Sequence, residues 1–212
     1  DEEGNPYYNV IGIDLPNKQG RIKEEMINSG RLPIEATDKK LISYLEKAYK
    51  SNNFVASVDS SLFKLADVVL VDIHLDVIEE HDAFSMGLNP FREAIKTLGN
   101  NIKQDCLVIV ETTVPPGCCE HVVLPEVAEQ FKLRGLNEDE ILLAHSYERV
   151  MPGKNYLDSI INFWRVYSGH NAKAAERCED FLSKIINTSE YPLTRLHNTT
   201  ASETAKVLEN SY

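Results

Sequence analysis

Glu111-Thr-Thr-Val-Pro-Pro-Gly-Cys-Cys119 is the stretch on which the reading of this sequence turns. Ahead of it, Cys106 to Val110 is an apolar, β-branched run, and its composition marks a short buried strand. After Glu111 come two hydroxyls, then two prolines that cannot continue a ladder, then a glycine that frees the backbone to turn. A helical pattern of Val122, Val123, Val127, Ala128 and Phe131 follows. Strand, hydroxyl-rich turn and helix is how an open α/β sheet presents polar groups at the carboxyl ends of its strands, where ligands bind. An ordinary strand-to-helix connection with a proline stop has the same appearance.

The flanking chain alternates in the same way. Tyr7 to Leu15 reads as a strand ending in an acid, Asp14, which a turn before Pro16 would also explain. A helix at Arg21 to Gly30 closes on its glycine, and Thr37-Asp38 caps a second with Leu41, Ile42, Leu45 and Ala48 on one face. Strands are expected at Phe54 to Ser57, Ala66 to Ile73, Glu140 to Ala144, Trp164 to Ser168 and Tyr191 to Arg195. Residues 79 to 90 read as a polar loop, Pro90 to Leu98 and Ala172 to Ile186 as helices, and Asn198 begins one more. On that last helix Glu203, Lys206 and Asn210 share a face, ordinarily a solvated one. Asp72, His74 and Asp76 alternate ahead of His81-Asp82. Imidazole and carboxylate can converge on a metal at such spacing, but a solvated loop is the preferred reading and no metal is assigned.

Four ordered stretches resemble the nucleotide-sugar 6-dehydrogenases, the UDP-glucose and UDP-N-acetylhexosamine dehydrogenase family. They are VIGIDL with NSGRLPI (Val10 to Leu15, Asn28 to Ile34), ETTVPPG, ERVMPGK (Glu148 to Lys154) and SETAKVLENSY (Ser202 to Tyr212). The resemblance implies a doubly wound, Rossmann-like α/β domain with a mostly parallel sheet over residues 1–197, and the start of an inter-domain helix at 198–212. It also implies NAD as cofactor, a UDP-sugar as substrate and a homodimer for the complete protein. Asp14 then matches the acid that bonds the adenosine ribose, with Thr112 and Thr113 beside the cofactor. Glu148 matches an acid that handles protons, although pairing with Arg149 would also account for it. Lys206 and Asn210 match a K-x-x-x-N motif facing the active site. The glucose branch carries a second Glu where Pro152 stands here, so the segment is closer to the N-acetylhexosamine branch.

The chemistry that the resemblance implies oxidises a C6 alcohol to a carboxylate with two NAD per turnover, through an aldehyde trapped by a cysteine. Lys206 and Asn210 supply donors to a developing oxyanion, Glu148 acts as base, and Thr113 helps position the water. The family's cysteine lies in a Gly-x-Cys-x-Pro-Lys-Asp type of segment that these residues lack. Cys118 and Cys119 stand where the family has a small or polar residue, and neither is read as the nucleophile. No Gly-x-Gly-x-x-Gly occurs, and the family has a strand, that turn and a helix ahead of Val10. The chain is therefore expected to lack the first β-α unit and, in isolation, to bind NAD poorly, to show no dehydrogenase activity and to be unstable or self-associating. A non-catalytic nucleotide-binding or assembly module that kept the fold is the rival reading.

Composition bounds these readings. The chain has 212 residues and a net charge of −11, the opposite of the basic footprint that nucleic-acid binding requires. No apolar run approaches the ~20 residues of a membrane helix. Four cysteines without C-x-x-C spacing give neither a disulfide framework nor a zinc signature, which points to a reducing cytoplasm.

Overall fold

The computed structural model describes residues 5–73, 75, 77–80, 83–150 and 153–211. The first elements are β1 (Val10–Ile13), α1 (Lys18–Asn28), α2 (Lys39–Ser51), β2 (Phe54–Ser57) and β3 (Val68–Val71). Then come β4 (Val77–Glu80), β5 (Ala83–Met86), α3 (Leu88–Gly99), β6 (Leu107–Val110) and α4 (Leu124–Leu133). The chain continues through β7 (Leu142–His145), α5 (Tyr156–Ile161), β8 (Val166–Gly169), α6 (Ala172–Ile185), β9 (Thr194–Arg195) and α7 (Thr199–Glu209). Two compact units result, one reaching Leu62 and taking in Val150–Ile160, the other made of Phe63–Arg149 and Ile161–Tyr212.

In the first unit β1 and β2 pair in parallel, Val10 opposite Phe54 through Ile13 opposite Ser57. Asn28, the last residue of α1, takes the place of a further strand beside β2. Its amide donates to the Ala56 carbonyl at 2.9 Å and accepts from the Ala56 N–H at 2.8 Å, which blunts a sheet edge. Asp38 caps α2 through Lys40 N–H (2.8 Å) and also accepts from Leu157 N–H (2.9 Å) at the start of α5. Those backbone donors, Leu157 first, hold its carboxyl below the usual range.

The second unit is built on a five-stranded sheet of order β3-β6-β7-β8-β9. β3, β6 and β7 are parallel, β8 runs antiparallel to β7, and β9 parallel to β8. All four residues of β6 are 0–1 % exposed, so this strand is buried on both faces. Val108 and Val110 face Phe91, Ile95 and Phe131 from α3 and α4. Leu107 and Ile109 face the other way, with Leu142 and Tyr167, toward Ala174, Cys178 and Leu182 of α6. Among the described residues β1 and β3 each pair on one edge only.

Two expectations are corrected. Part of the polar loop at 79–90 is a hairpin, with β4 and β5 pairing antiparallel from Val77 opposite Met86 to Glu80 opposite Ala83. The charges of Glu79 and Glu80 within β4 hid the pairing. The helix after the hydroxyl turn opens as a π-helical stretch, Cys119–Val123. Pro125 lacks an N–H and its ring would crowd the carbonyl four residues back, so the preceding turn widens.

Candidate active site

The decisive turn leaves the carboxyl end of β6. Thr112 is buried; its hydroxyl accepts from Ile73 N–H at 2.8 Å and donates to the Val71 carbonyl at 3.2 Å. Its proton is thus committed to tying the turn to the end of β3. Thr113, the next residue, is half-buried. Gly117 closes the turn at φ +87°, a conformation that favours glycine.

Glu111 stands on the other side of the same strand end. Its carboxylate lies 3.2 Å from the guanidinium of Arg165, and the two side chains are only 11 % and 4 % exposed. Glu111 Oε1 and Arg165 Nη1 make no hydrogen bond to another described residue, so the contact is charge proximity without hydrogen-bond alignment. Burial raises the Glu111 carboxyl, Arg165 pulls it down, and Asp72 and Glu148 push it up again; the net direction is upward.

α7 brings the remaining residues to this end of the sheet. Lys206 Nζ donates to the Glu148 carbonyl at 3.0 Å and sits 5.3 Å from the centre of the Tyr147 ring. Asn210 caps α7 and is exposed. Arg149 pairs with Glu209 at 2.7 Å and lies over Phe163. Thr113 and Glu148 thus follow the carboxyl ends of β6 and β7, and Lys206 reaches the second of these segments from α7.

The face of α7 shared by Glu203, Lys206 and Asn210 grades from packed to open: Glu203 is buried, Lys206 half-buried and Asn210 exposed. Glu203 is wholly buried and its carboxylate accepts from the backbone N–H of Gly117 (2.5 Å) and of Cys119 (2.7 Å). Sequence spacing placed Glu203 beside Lys206 but gave no sign of this partner. Burial and the Glu203 charge push the Cys118 thiol up to about 12 and the Cys119 thiol well above its usual range. Neither is a thiolate near neutrality.

Beneath Lys206, Ser202 Oγ has three neighbours: His145 Nδ1 (2.7 Å), Ser168 Oγ (2.7 Å) and the Thr199 carbonyl (2.9 Å). A hydroxyl donates once, so a proton given to Thr199 requires the His145 ring to donate from Nδ1. The Nε2 atom, which has no partner among the described residues, is then a bare acceptor. Burial first, and the Lys206 ammonium second, push this ring down to about 4. The folded state therefore favours neutral His145. Stability present above about pH 6.5 is expected to fall as pH drops toward 4, by about 1.4 kcal/mol per pH unit for this one group. Urea unfolding of wild type and His145→Gln across that window checks it; equal slopes in both would remove His145 as the source.

In the first unit, a hollow of about 120 Å³ at the carboxyl end of β1 is lined by Gly12, Asp14, Gly20, Lys23 and Ser57. Asp14 Oδ1 accepts from Leu15 N–H (2.7 Å) and Oδ2 from Lys23 (2.8 Å). Burial raises its carboxyl but the Lys23 and Leu15 hydrogen bonds outweigh that, and the net direction is downward. A charged carboxylate with spare lone pairs beside a small hollow suits a ribose diol. No Gly-x-Gly-x-x-Gly cradle for a pyrophosphate occurs in these residues, so the fit to NAD holds for the ribose end.

Among the described residues no three His, Cys, Asp or Glu side chains could hold a metal. His74, Asp76, His81 and Asp82 lie outside them.

A mostly parallel sheet carrying a hydroxyl-bearing turn at its carboxyl end defines an α/β domain of the Rossmann-like class. Residues 5–186 match the UDP-glucose/GDP-mannose dehydrogenase family, NAD binding domain, and the chain belongs to that family. It is 26% identical over 206 residues to the UDP-N-acetyl-D-mannosamine dehydrogenase of Methanocaldococcus jannaschii, covering 97% of this chain and 43% of that protein. The NDP-N-acetyl-D-galactosaminuronic acid dehydrogenase of Methanosarcina mazei Go1 superposes with a TM-score of 0.85 at 25% identity, over 96% of this chain and 41% of that one. A GDP-mannose dehydrogenase from Pseudomonas aeruginosa shares the fold at a TM-score of 0.79 and 18% identity, over 97% and 44%. The chain thus spans less than half the length of the curated relatives it matches.

Proposed function

We propose that the complete protein containing this chain oxidises the C6 alcohol of a UDP-sugar, a UDP-N-acetylhexosamine or UDP-glucose, to the uronic acid with NAD. The chain would supply much of the NAD-binding domain. The observation that carries this reading is the junction of α7 with the end of β7, where the Lys206 ammonium sits on the Glu148 carbonyl. NAD supplies the hydride acceptor when bound. Lys206 keeps further N–H donors beyond the one given to Glu148, and with Asn210 it stabilises negative charge developing on the C6 oxygen. Glu148 takes a proton from the hydrolytic water, which Thr113 positions while Thr112 braces the turn. Asp14 holds the adenosine ribose. The setting is a reducing cytoplasm, the role polysaccharide biosynthesis, and the assembly a homodimer.

Offering the purified complete protein UDP-N-acetylmannosamine, UDP-N-acetylglucosamine and UDP-glucose with NAD tests the reading. NADH formation with one of them is expected; none with any would leave a nucleotide-binding module. Asp14→Ala is expected to lower the preference for NAD over NADP by about tenfold or more, because it removes an acceptor for the 2′-hydroxyl and frees Lys23 for a 2′-phosphate. Kinetics with both coenzymes check it, and an unchanged ratio would take Asp14 out of the ribose site.

A further inference from the structure

We propose that Glu203 is a positioning residue, a latch that fixes the hydroxyl turn against α7 and thereby sets Thr113 in register with Lys206. The inference rests on the reading above only for its catalytic consequence. Its structural basis is the wholly buried carboxylate that takes two backbone N–H groups from one turn, those of Gly117 and Cys119, 86 and 84 residues away in sequence. Those donors belong to the turn that begins with Thr112 and Thr113. Three residues after Glu203, the same helix presents Lys206.

The physical demand is plain. The N–H groups at the start of the helix that follows the turn have no partner within the helix, and burying them unpaired is costly. A side chain from a neighbouring helix meets that demand with a charged acceptor, where a local Ser or Asp cap would serve the same groups without tying two elements together. Gly117 at φ +87° directs its N–H to this partner. Ser202, the preceding residue, docks the same helix onto β7 and β8 through His145 and Ser168. Besides Lys206 and Glu209, which join α7 to the segment after β7, two contacts fix the start of the helix, one on the sheet and one on the turn. Losing the second lets turn and helix move apart while the sheet contact stays. Cys118 and Cys119 sit beneath the latch, both buried, and Cys119 lies in direct contact with the Glu203 carboxylate.

Glu203→Gln tests it, because the amide keeps the shape and one acceptor but turns an N–H₂ toward a backbone N–H. In the complete protein, TROSY NMR with amide hydrogen exchange reads the latch without substrate or cofactor. Gly117 and Cys119 amides are expected to shift upfield and exchange about tenfold or more faster, while Ile109 and Leu143 change less than about twofold. Iodoacetamide labelling of Cys118 and Cys119 is expected to quicken in parallel. In the complete enzyme kcat is expected to fall about tenfold or more with KM changed less than about twofold. Should Glu203→Gln fail to fold, Glu203→Asp, which keeps the charge on a shorter arm, carries the same measurements. Unchanged amides at Gly117 and Cys119, or equal acceleration across the sheet, overturns the latch and leaves a merely structural acid. A wild-type protein inactive on every UDP-sugar removes the proposed activity alone, since the amide measurement still decides the latch.

Discussion

Arg165→Met is expected to lower the unfolding free energy by about 3–5 kcal/mol, the typical cost of stranding one partner of a buried ion pair. Arg165 is 4 % exposed and Glu111 11 %, so neither charge has water to fall back on. The pair is not a strong one in itself. Its contact is 3.2 Å and poorly aligned, and the Glu111 carboxyl is raised in spite of the guanidinium beside it. The cost arises because removing Arg165 leaves a buried carboxylate that must protonate or stay charged without a counter-ion, with Asp72 and Glu148 already raising it. Glu111→Gln combined with Arg165→Met is therefore expected to recover much of the loss. Urea unfolding of the three variants measures it. A loss below about 1 kcal/mol for Arg165→Met, the range of exposed pairs, would mean that the pair is solvated.

Lys206→Met is expected to cut kcat by about 10²–10³ in the complete protein, as loss of one donor to a developing oxyanion does. The side chain is half-buried and among the described residues its hydrogen bond is the one to the Glu148 carbonyl, so folding should survive. The methionine also leaves the packing against the Tyr147 ring in place. Circular dichroism establishes that the variant is folded, and steady-state kinetics give kcat and KM. A fall smaller than tenfold with the fold intact would take Lys206 away from the reacting oxygen.

Much of the fold was legible because its signals are local. The charge-free run ending at Val110 reads as a short buried strand and is one, and Asp38 sits at a helix start where a side-chain cap belongs. The hairpin at Val77–Met86 was not legible, since its pairing depends on a partner strand and its composition is that of a loop. The site divides in the same way. Thr113, Glu148 and Lys206 could be picked out by motif, but which of them meet could not. Glu203 shows why: its partners are backbone N–H groups, which leave no trace in side-chain identity. Thr112 is similar, for its hydroxyl is spent on Ile73 and Val71, atoms that every sequence offers alike.

The ratio of NADH formed to UDP-sugar consumed, measured in the complete protein with the sugar limiting, tests the account most directly. Two NADH per sugar, with the uronic acid as the product, is the result the account predicts. One NADH per sugar, with an aldehyde as the end product, would contradict it and leave a simple alcohol dehydrogenase.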